Sequence, residues 1–154
     1  MRPVVYLDVD GAVSALSPTH GFGDGLPFEL FGDELILSDR LGARLGALDG
    51  DLRWLTTWGA DANLIGAAMN LPDLPVAGLP PMDATAGGPW KFDVVRAQVE
   101  VERRPFAWID DEAIPAITAA WAESMGVPCL LVEPDPERGL TPAELDAVEA
   151  FLAR

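Results

Sequence analysis

The sequence is poorest in the groups that most often build sites: one cysteine (Cys129), one histidine (His20) and one lysine (Lys91) in 154 residues. A single cysteine excludes disulfides within the chain and zinc sites built on paired thiolates. Ten basic residues stand against 25 acidic ones, a formal net charge of −15. That balance argues against sequence-independent nucleic-acid binding, whose affinity comes from neutralising phosphates with Lys and Arg. No apolar run approaches the roughly 20 residues of a membrane span. Arg2-Pro3 leads straight into a strand pattern, with no leader layout. The expected location is the cytoplasm, with no membrane partner. Apolar residues, by contrast, make up 49% of the chain, enough for one globular domain with a full core.

The solitary lysine is informative. Nine of the ten basic residues are Arg, in a chain otherwise rich in Ala, Gly and Pro. A lone Lys in that background hints at a place that needs a compact ammonium and not a planar fork. A surface lysine left by chance is the plainer reading.

The stretch 3–13, Pro-Val-Val-Tyr-Leu-Asp-Val-Asp-Gly-Ala-Val, organises the rest. Its apolar run from Val4 to Leu7 is short and rich in β-branched and aromatic residues, which predicts a buried parallel strand. The run stops at Asp8-Val9-Asp10-Gly11. Two carboxylates are costly to place there for packing alone. In open α/β sheets, ligands gather at the carboxyl ends of strands. Gly11 permits a tight turn or a close backbone approach to a ligand. A solvated turn or a helix cap is the plain alternative for such a pair. A calcium loop does not fit, because position 12 is Ala and the lead-in is a strand pattern.

Downstream, Ser14 to Gly32 is Gly- and Pro-rich, lacks a clear period, and holds His20, Phe22, Phe28 and Phe31. With a short strand at Glu34–Leu37 it predicts a flap insertion over 14–37, and His20 reads as a loop residue. Ser38 or Asp39 caps a helix with Leu41, Leu45 and Leu48 on one face. Leu52–Leu55 is the next strand, closing in Thr56-Thr57-Trp58-Gly59. Helix 61–70 is expected to turn Leu64, Ile65, Ala68 and Met69 inward. Leu74–Leu79 suggests a further strand, weakened by Pro72, Pro75 and Pro80-Pro81. A loop through Gly87-Gly88-Pro89-Trp90 delivers Lys91, which opens a helix to about Glu102 with Phe92, Val95 and Val99 inward. Pro105–Ile109 reads as a buried strand ending in Asp110-Asp111-Glu112. A helix over 113–125 would carry Ile114, Ile117, Trp121 and Met125 on one stripe, and Val127–Val132 is another strand. Thr141-Pro142-Ala143-Glu144 is a capping box that opens a last helix burying Leu145, Val148 and Leu152. The alternation predicts a single α/β domain over 1–154. Its expected form is a three-layer α/β/α Rossmann-like fold with a parallel sheet of about five strands.

Three strand ends carry polar groups toward one sheet edge: Asp8/Asp10, Thr56/Thr57 and Asp110/Asp111, with Lys91 at the start of a helix. In this order, across the whole chain, they resemble the four motifs of the haloacid dehalogenase (HAD) superfamily. The resemblance implies a phosphatase with a Mg²⁺ cofactor. Asp8 would be the nucleophile, forming an aspartyl-phosphate, and Asp10 the general acid and base. The metal would sit on Asp8, the backbone carbonyl of Asp10 and the acids Asp110 and Asp111, with Asp111 the direct ligand. Lys91 would neutralise Asp8 and the transferring phosphoryl group, while Thr56, or alternatively Thr57, hydrogen-bonds its oxygens. Gly11, Thr57, Trp58 and Trp90 are the candidate substrate contacts, whereas Trp54, Trp108 and Trp121 read as core.

Asp10 points to phosphoester hydrolysis, since dehalogenase and phosphonatase members lack the second Asp. Val9 stands where transport ATPases carry Lys, and phosphomutases stay open because they share the pair. The short spacing between motifs leaves no room for a large cap, so a capless or minimally capped form with a flap is expected. Open sites of that kind suit bulky substrates, macromolecular ends or promiscuous phosphoesters, and the expected partner is a small phosphorylated substrate. Two other readings stand beside it. One is a catalytically quiet binding or regulatory module of the same fold. The other is a nucleic-acid-end phosphatase of an RNA-repair type, which the net charge disfavours. A receiver domain uses similar groups, but there Thr and Lys follow the phospho-accepting Asp instead of preceding the Asp-Asp pair.

Overall fold

Val4–Leu7 (β1) is buried at all four positions, which explains why the stretch reads as one apolar run without alternation. In chain order there follow β2 (Leu26–Leu30), β3 (Asp33–Leu37), α1 (Asp39–Gly46), β4 (Asp51–Trp54) and α2 (Ala62–Ala68). The chain then forms α3 (Trp90–Glu102), β5 (Phe106–Ile109), α4 (Thr118–Ser124), β6 (Cys129–Val132) and α5 (Pro142–Leu152). The structure is a computed structural model that describes residues 1–83 and 89–154. The Gly87-Gly88 part of the expected loop before Lys91 lies outside the described residues.

The result is an α/β fold with a parallel sheet of four strands in the order β4-β1-β5-β6. Val5 and Leu7, with Leu52, Trp54, Ala107 and Ile109, face one side and meet Leu41 and Leu45 of α1, Ile65 of α2 and Leu145 and Val148 of α5. Val4 and Tyr6, with Phe106 and Trp108, face the other and meet Val95 and Val99 of α3 and Ala122 of α4. Each fully buried large side chain contributes on the order of 2 kcal/mol of transfer free energy. Strands sandwiched in this way therefore hold their ends firmly in place.

Three expectations are corrected. The sheet has four strands where about five were expected. The Leu74–Leu79 segment reaches β4 only through an isolated parallel bridge between Trp54 and Val76. Pro72 and Pro75 cannot donate to a ladder, so the contact is limited to Trp54 N–H on the Pro75 carbonyl (2.9 Å) and Ala77 N–H on the Trp54 carbonyl (2.8 Å). The helix expected over 113–125 begins only at Thr118 and leaves Ile117 63% exposed. Pro115 disfavours helical backbone at Ile114, so the early part of that stripe never forms. In α2 the inward stripe is Ala62, Ile65, Gly66 and Met69, while Leu64 is exposed. The real period starts one position away from the one the larger side chains suggested.

The 14–37 segment packs onto the main core, with Phe22, Leu35 and Leu37 in the same cluster as Leu7 and Trp54. Antiparallel β2 and β3 form a separate hairpin, tied back by the Ala15–Ile36 bridge. His20 is the clamp beneath it and is buried. Its Nδ1 accepts the Phe22 N–H at 3.0 Å, which assigns the proton to Nε2, and Nε2 then donates to the Val13 carbonyl at 2.9 Å. Replacing His20 with Ala leaves both backbone groups short of a partner. The expected loss is about 1–3 kcal/mol in urea denaturation, with faster amide exchange at Phe22.

Candidate functional site

Strand register brings the acids together. Leu7 of β1 lies opposite Ile109 of β5, so Asp8 and Asp110 leave adjacent strands side by side at the same sheet edge. Their backbones are held by the ladder: Asp8 N–H donates to the Ile109 carbonyl at 3.0 Å, and Asp110 N–H to the Val132 carbonyl at 3.1 Å. Both side chains are buried. Two buried neighbouring carboxylates repel each other and lose their hydration, an arrangement that requires a counter-charge.

Lys91 supplies it. The lysine sits in the first turn of α3 with its side chain buried, and its Nζ lies 2.7 Å from Asp110 Oδ2 and 3.2 Å from Asp8 Oδ1. Burial alone would push the ammonium's pKa down, but the Asp8 and Asp110 charges outweigh it and the pKa is raised. The Trp90 ring lies 5.9 Å from Nζ and is itself buried. Trp90 therefore backs the lysine from the core side.

The remaining carboxyls diverge in role. Asp110 Oδ1 accepts the N–H groups of Glu112 (3.1 Å) and Ala113 (2.9 Å), so both its oxygens are engaged within the protein. Asp111 is only half-buried and opens onto the cleft. Gly11, at φ +75°, lies so close to it that a Cβ there would collide with the Asp111 carboxylate and with Pro136. The glycine thus lets the turn after β1 seat against the Asp111 loop. Asp8, Asp110 and Asp111 each offer an oxygen, all within 4.8 Å of one another, and could hold a metal ion. When all three carboxyls are ionised, one ammonium leaves two negative charges uncompensated, and an all-oxygen donor set suits a hard divalent cation.

The electrostatics carry the strain of that arrangement. The Asp8 carboxyl is pushed up to about 7, first by burial and then by the Asp110 charge, with Lys91 opposing. Asp111 is pushed up to about 6, by burial and then by Asp110 and Glu112. Perturbed acids gathered in a cleft carry a stability cost and mark a candidate site.

The cleft has a volume of about 180 Å³ and is lined by Asp8, Asp10, Thr57, Lys91 and Asp111, together with Leu16, Glu112 and Ala113. Asp10 is exposed and stands outside the close metal-binding set. Its Oδ2 accepts the Trp58 indole N–H at 2.9 Å. Of the two threonines, Thr57 is exposed on the cleft, whereas Thr56 is fully buried with Oγ1 accepting the Trp58 backbone N–H at 3.3 Å. Trp58 sits beside Asp10 and packs partly on the core. Leu16, Glu112 and Ala113 line the cleft without being site candidates in the sequence. Glu112 directly continues the Asp-Asp pair, a signal that was present, whereas nothing in the flap sequence singles out Leu16. A larger hollow of about 400 Å³ beside Cys129 has one carboxylate, Glu123, and no converging charges.

Lys91→Met leaves Asp8 and Asp110 without their cation, and the expected cost is about 3 kcal/mol or more near pH 8. Acids with raised folded-state pKa values bind protons more tightly folded than unfolded, so the metal-free protein loses stability as pH rises from about 4 through the Asp8 value of about 7. The Lys91→Met penalty should therefore shrink by about pH 5, which paired urea denaturations of variant and parent will read.

Against protein-family models, curated proteins and solved structures, the chain finds no match.

Proposed function

We propose that the chain is a Mg²⁺-dependent phosphoester hydrolase that works through an aspartyl-phosphate on Asp8, as its resemblance to the HAD superfamily implies. The observation that carries this reading is Lys91 ion-paired to both Asp8 and Asp110 at the carboxyl ends of adjacent parallel strands, beside an open Asp111. A lysine buried against two carboxylates is a poor stability device, since a matched apolar trio would do as well or better. It is a good way to keep a carboxylate ionised and aimed where a phosphoryl group arrives.

In the first half-reaction an Asp8 oxygen attacks phosphorus, the bond to the ester oxygen breaks, and Asp10 gives its proton to that leaving oxygen. In the second, water attacks the phosphorus of the aspartyl-phosphate, Asp10 takes the water's proton, and phosphate departs with Asp8 regenerated. Lys91 holds Asp8 in place and faces the phosphoryl charge, and Thr57, exposed on the cleft, is the hydroxyl placed to donate to a phosphoryl oxygen. Asp8 and Asp111 would hold the magnesium, joined by the Asp10 backbone carbonyl that the resemblance implies, with Asp110 behind them fixing Lys91 and the loop. When bound, the ion supplies charge neutralisation for the acid cluster and the phosphoryl oxygens.

The test is direct. With Mg²⁺ the protein should hydrolyse a generic aryl phosphate, and Asp8→Asn should bring the rate to background. Beryllofluoride with Mg²⁺ should raise the melting temperature of the parent and not of Asp8→Asn. Absence of turnover across a broad panel of phosphate esters would point instead to a binding module. Metal ligands must be deprotonated to bind, so the gain in melting temperature on adding Mg²⁺ should grow from about pH 5.5 to about pH 8.

A further inference from the structure

We propose that Trp58 is a positioning residue that holds the Asp10 carboxyl on the leaving-group side of the cleft and out of the metal-binding cluster. This rests on the phosphatase reading above. Asp8 and Asp10 are two residues apart on one turn, yet the structure treats them differently. Asp8 is buried with Lys91 and contributes to the close oxygen set, while Asp10 is exposed, lines the cleft and lies outside that set. An exposed aspartate has several rotamers within reach, and next to a cation one of them would turn inward. The Trp58 indole N–H on Asp10 Oδ2, at 2.9 Å, selects against that turn.

Trp58 is itself anchored. Its ring packs on the core cluster that contains Leu7, Val9 and Trp54, and its backbone N–H reaches the buried Thr56 hydroxyl at 3.3 Å. The chemistry of the donor matters as much as its place. An indole N–H donates, cannot accept, and carries no charge, so it can aim a carboxyl without competing for the proton that carboxyl transfers. With Oδ2 engaged, Oδ1 has no protein partner among the described residues and is the oxygen left for the ester. Trp58, a candidate substrate contact in the sequence, thus meets Asp10 through its indole N–H.

The experiment compares kcat/KM of the Mg²⁺-loaded full chain and of Trp58→Phe on two esters, p-nitrophenyl phosphate and benzyl phosphate. This parameter reports the step in which the leaving group departs. Nitrophenolate leaves with little help, whereas the benzyl alkoxide needs a proton. General acid catalysis is worth about 10²–10⁴-fold, so Trp58→Phe should slow the benzyl ester roughly tenfold more than the aryl ester. An equal fall on both esters overturns the positioning role and leaves the phosphatase reading intact. No turnover of either ester by the parent overturns both. Independently of turnover, the indole N–H resonance that disappears in Trp58→Phe should move upfield in Asp10→Ala, a change at an exposed side chain. A resonance that stays in place overturns the proposal.

Discussion

The ammonium of Lys91, shared between Asp8 and Asp110, is the interaction on which the rest depends. Without it the carboxylates that leave the ends of β1 and β5 would face each other with no cation between them, a cost the strand pairing would have to absorb. The pairing in turn dictates what lies around it. α3 must start at the sheet edge to deliver its second residue there. Trp90 lies buried beside the ammonium, its ring 5.9 Å from Nζ. Asp110 must spend its other oxygen on the backbone of Glu112 and Ala113, which shapes the loop that presents Asp111.

The four aspartates of the site are chemically alike and become different through their neighbours. Asp110 is saturated by Lys91 and two amides, Asp8 keeps an ammonium on one oxygen, Asp111 is open to the cleft, and Asp10 is held from the side by an indole. Burial and mutual repulsion raise Asp8 and Asp111 above their ordinary range, so the cluster stores unfavourable energy that a divalent cation would relieve. Any cation held there would therefore raise the stability of the folded chain as it bound.

Much of this was legible in the sequence because parallel strands announce themselves. An apolar run that ends in Asp or Thr gives both the strand and the edge, and Asp8, Thr56-Thr57 and Asp110-Asp111 were readable in that way. Lys91 was readable from its rarity. What escaped depended on partners far away in the chain. The period of α2 runs through Ala62 and Gly66, which carry too little hydrophobic signal to outvote Leu64. The prolines at 72 and 75 weaken the strand signal of Leu74–Leu79, yet only the β4 ladder shows how little pairing they leave. His20 looks like any loop histidine until the Val13 carbonyl and Phe22 amide are seen on either side of it. Likewise, whether Trp58 faced solvent, substrate or Asp10 was a matter of a contact across 48 residues of sequence, beyond any local pattern.

The strand order has a consequence for how the protein comes into being. One flank of β1 belongs to β5, which is separated from it in sequence by helices α1, α2 and α3 and strands β2, β3 and β4. Asp8 gains Asp110 as a neighbour only when Phe106–Ile109 docks beside β1, and an ammonium only when α3 brings Lys91 to the sheet edge. The acid cluster is thus a product of long-range contacts, which form slowly because their loop-closure entropy must be overcome first.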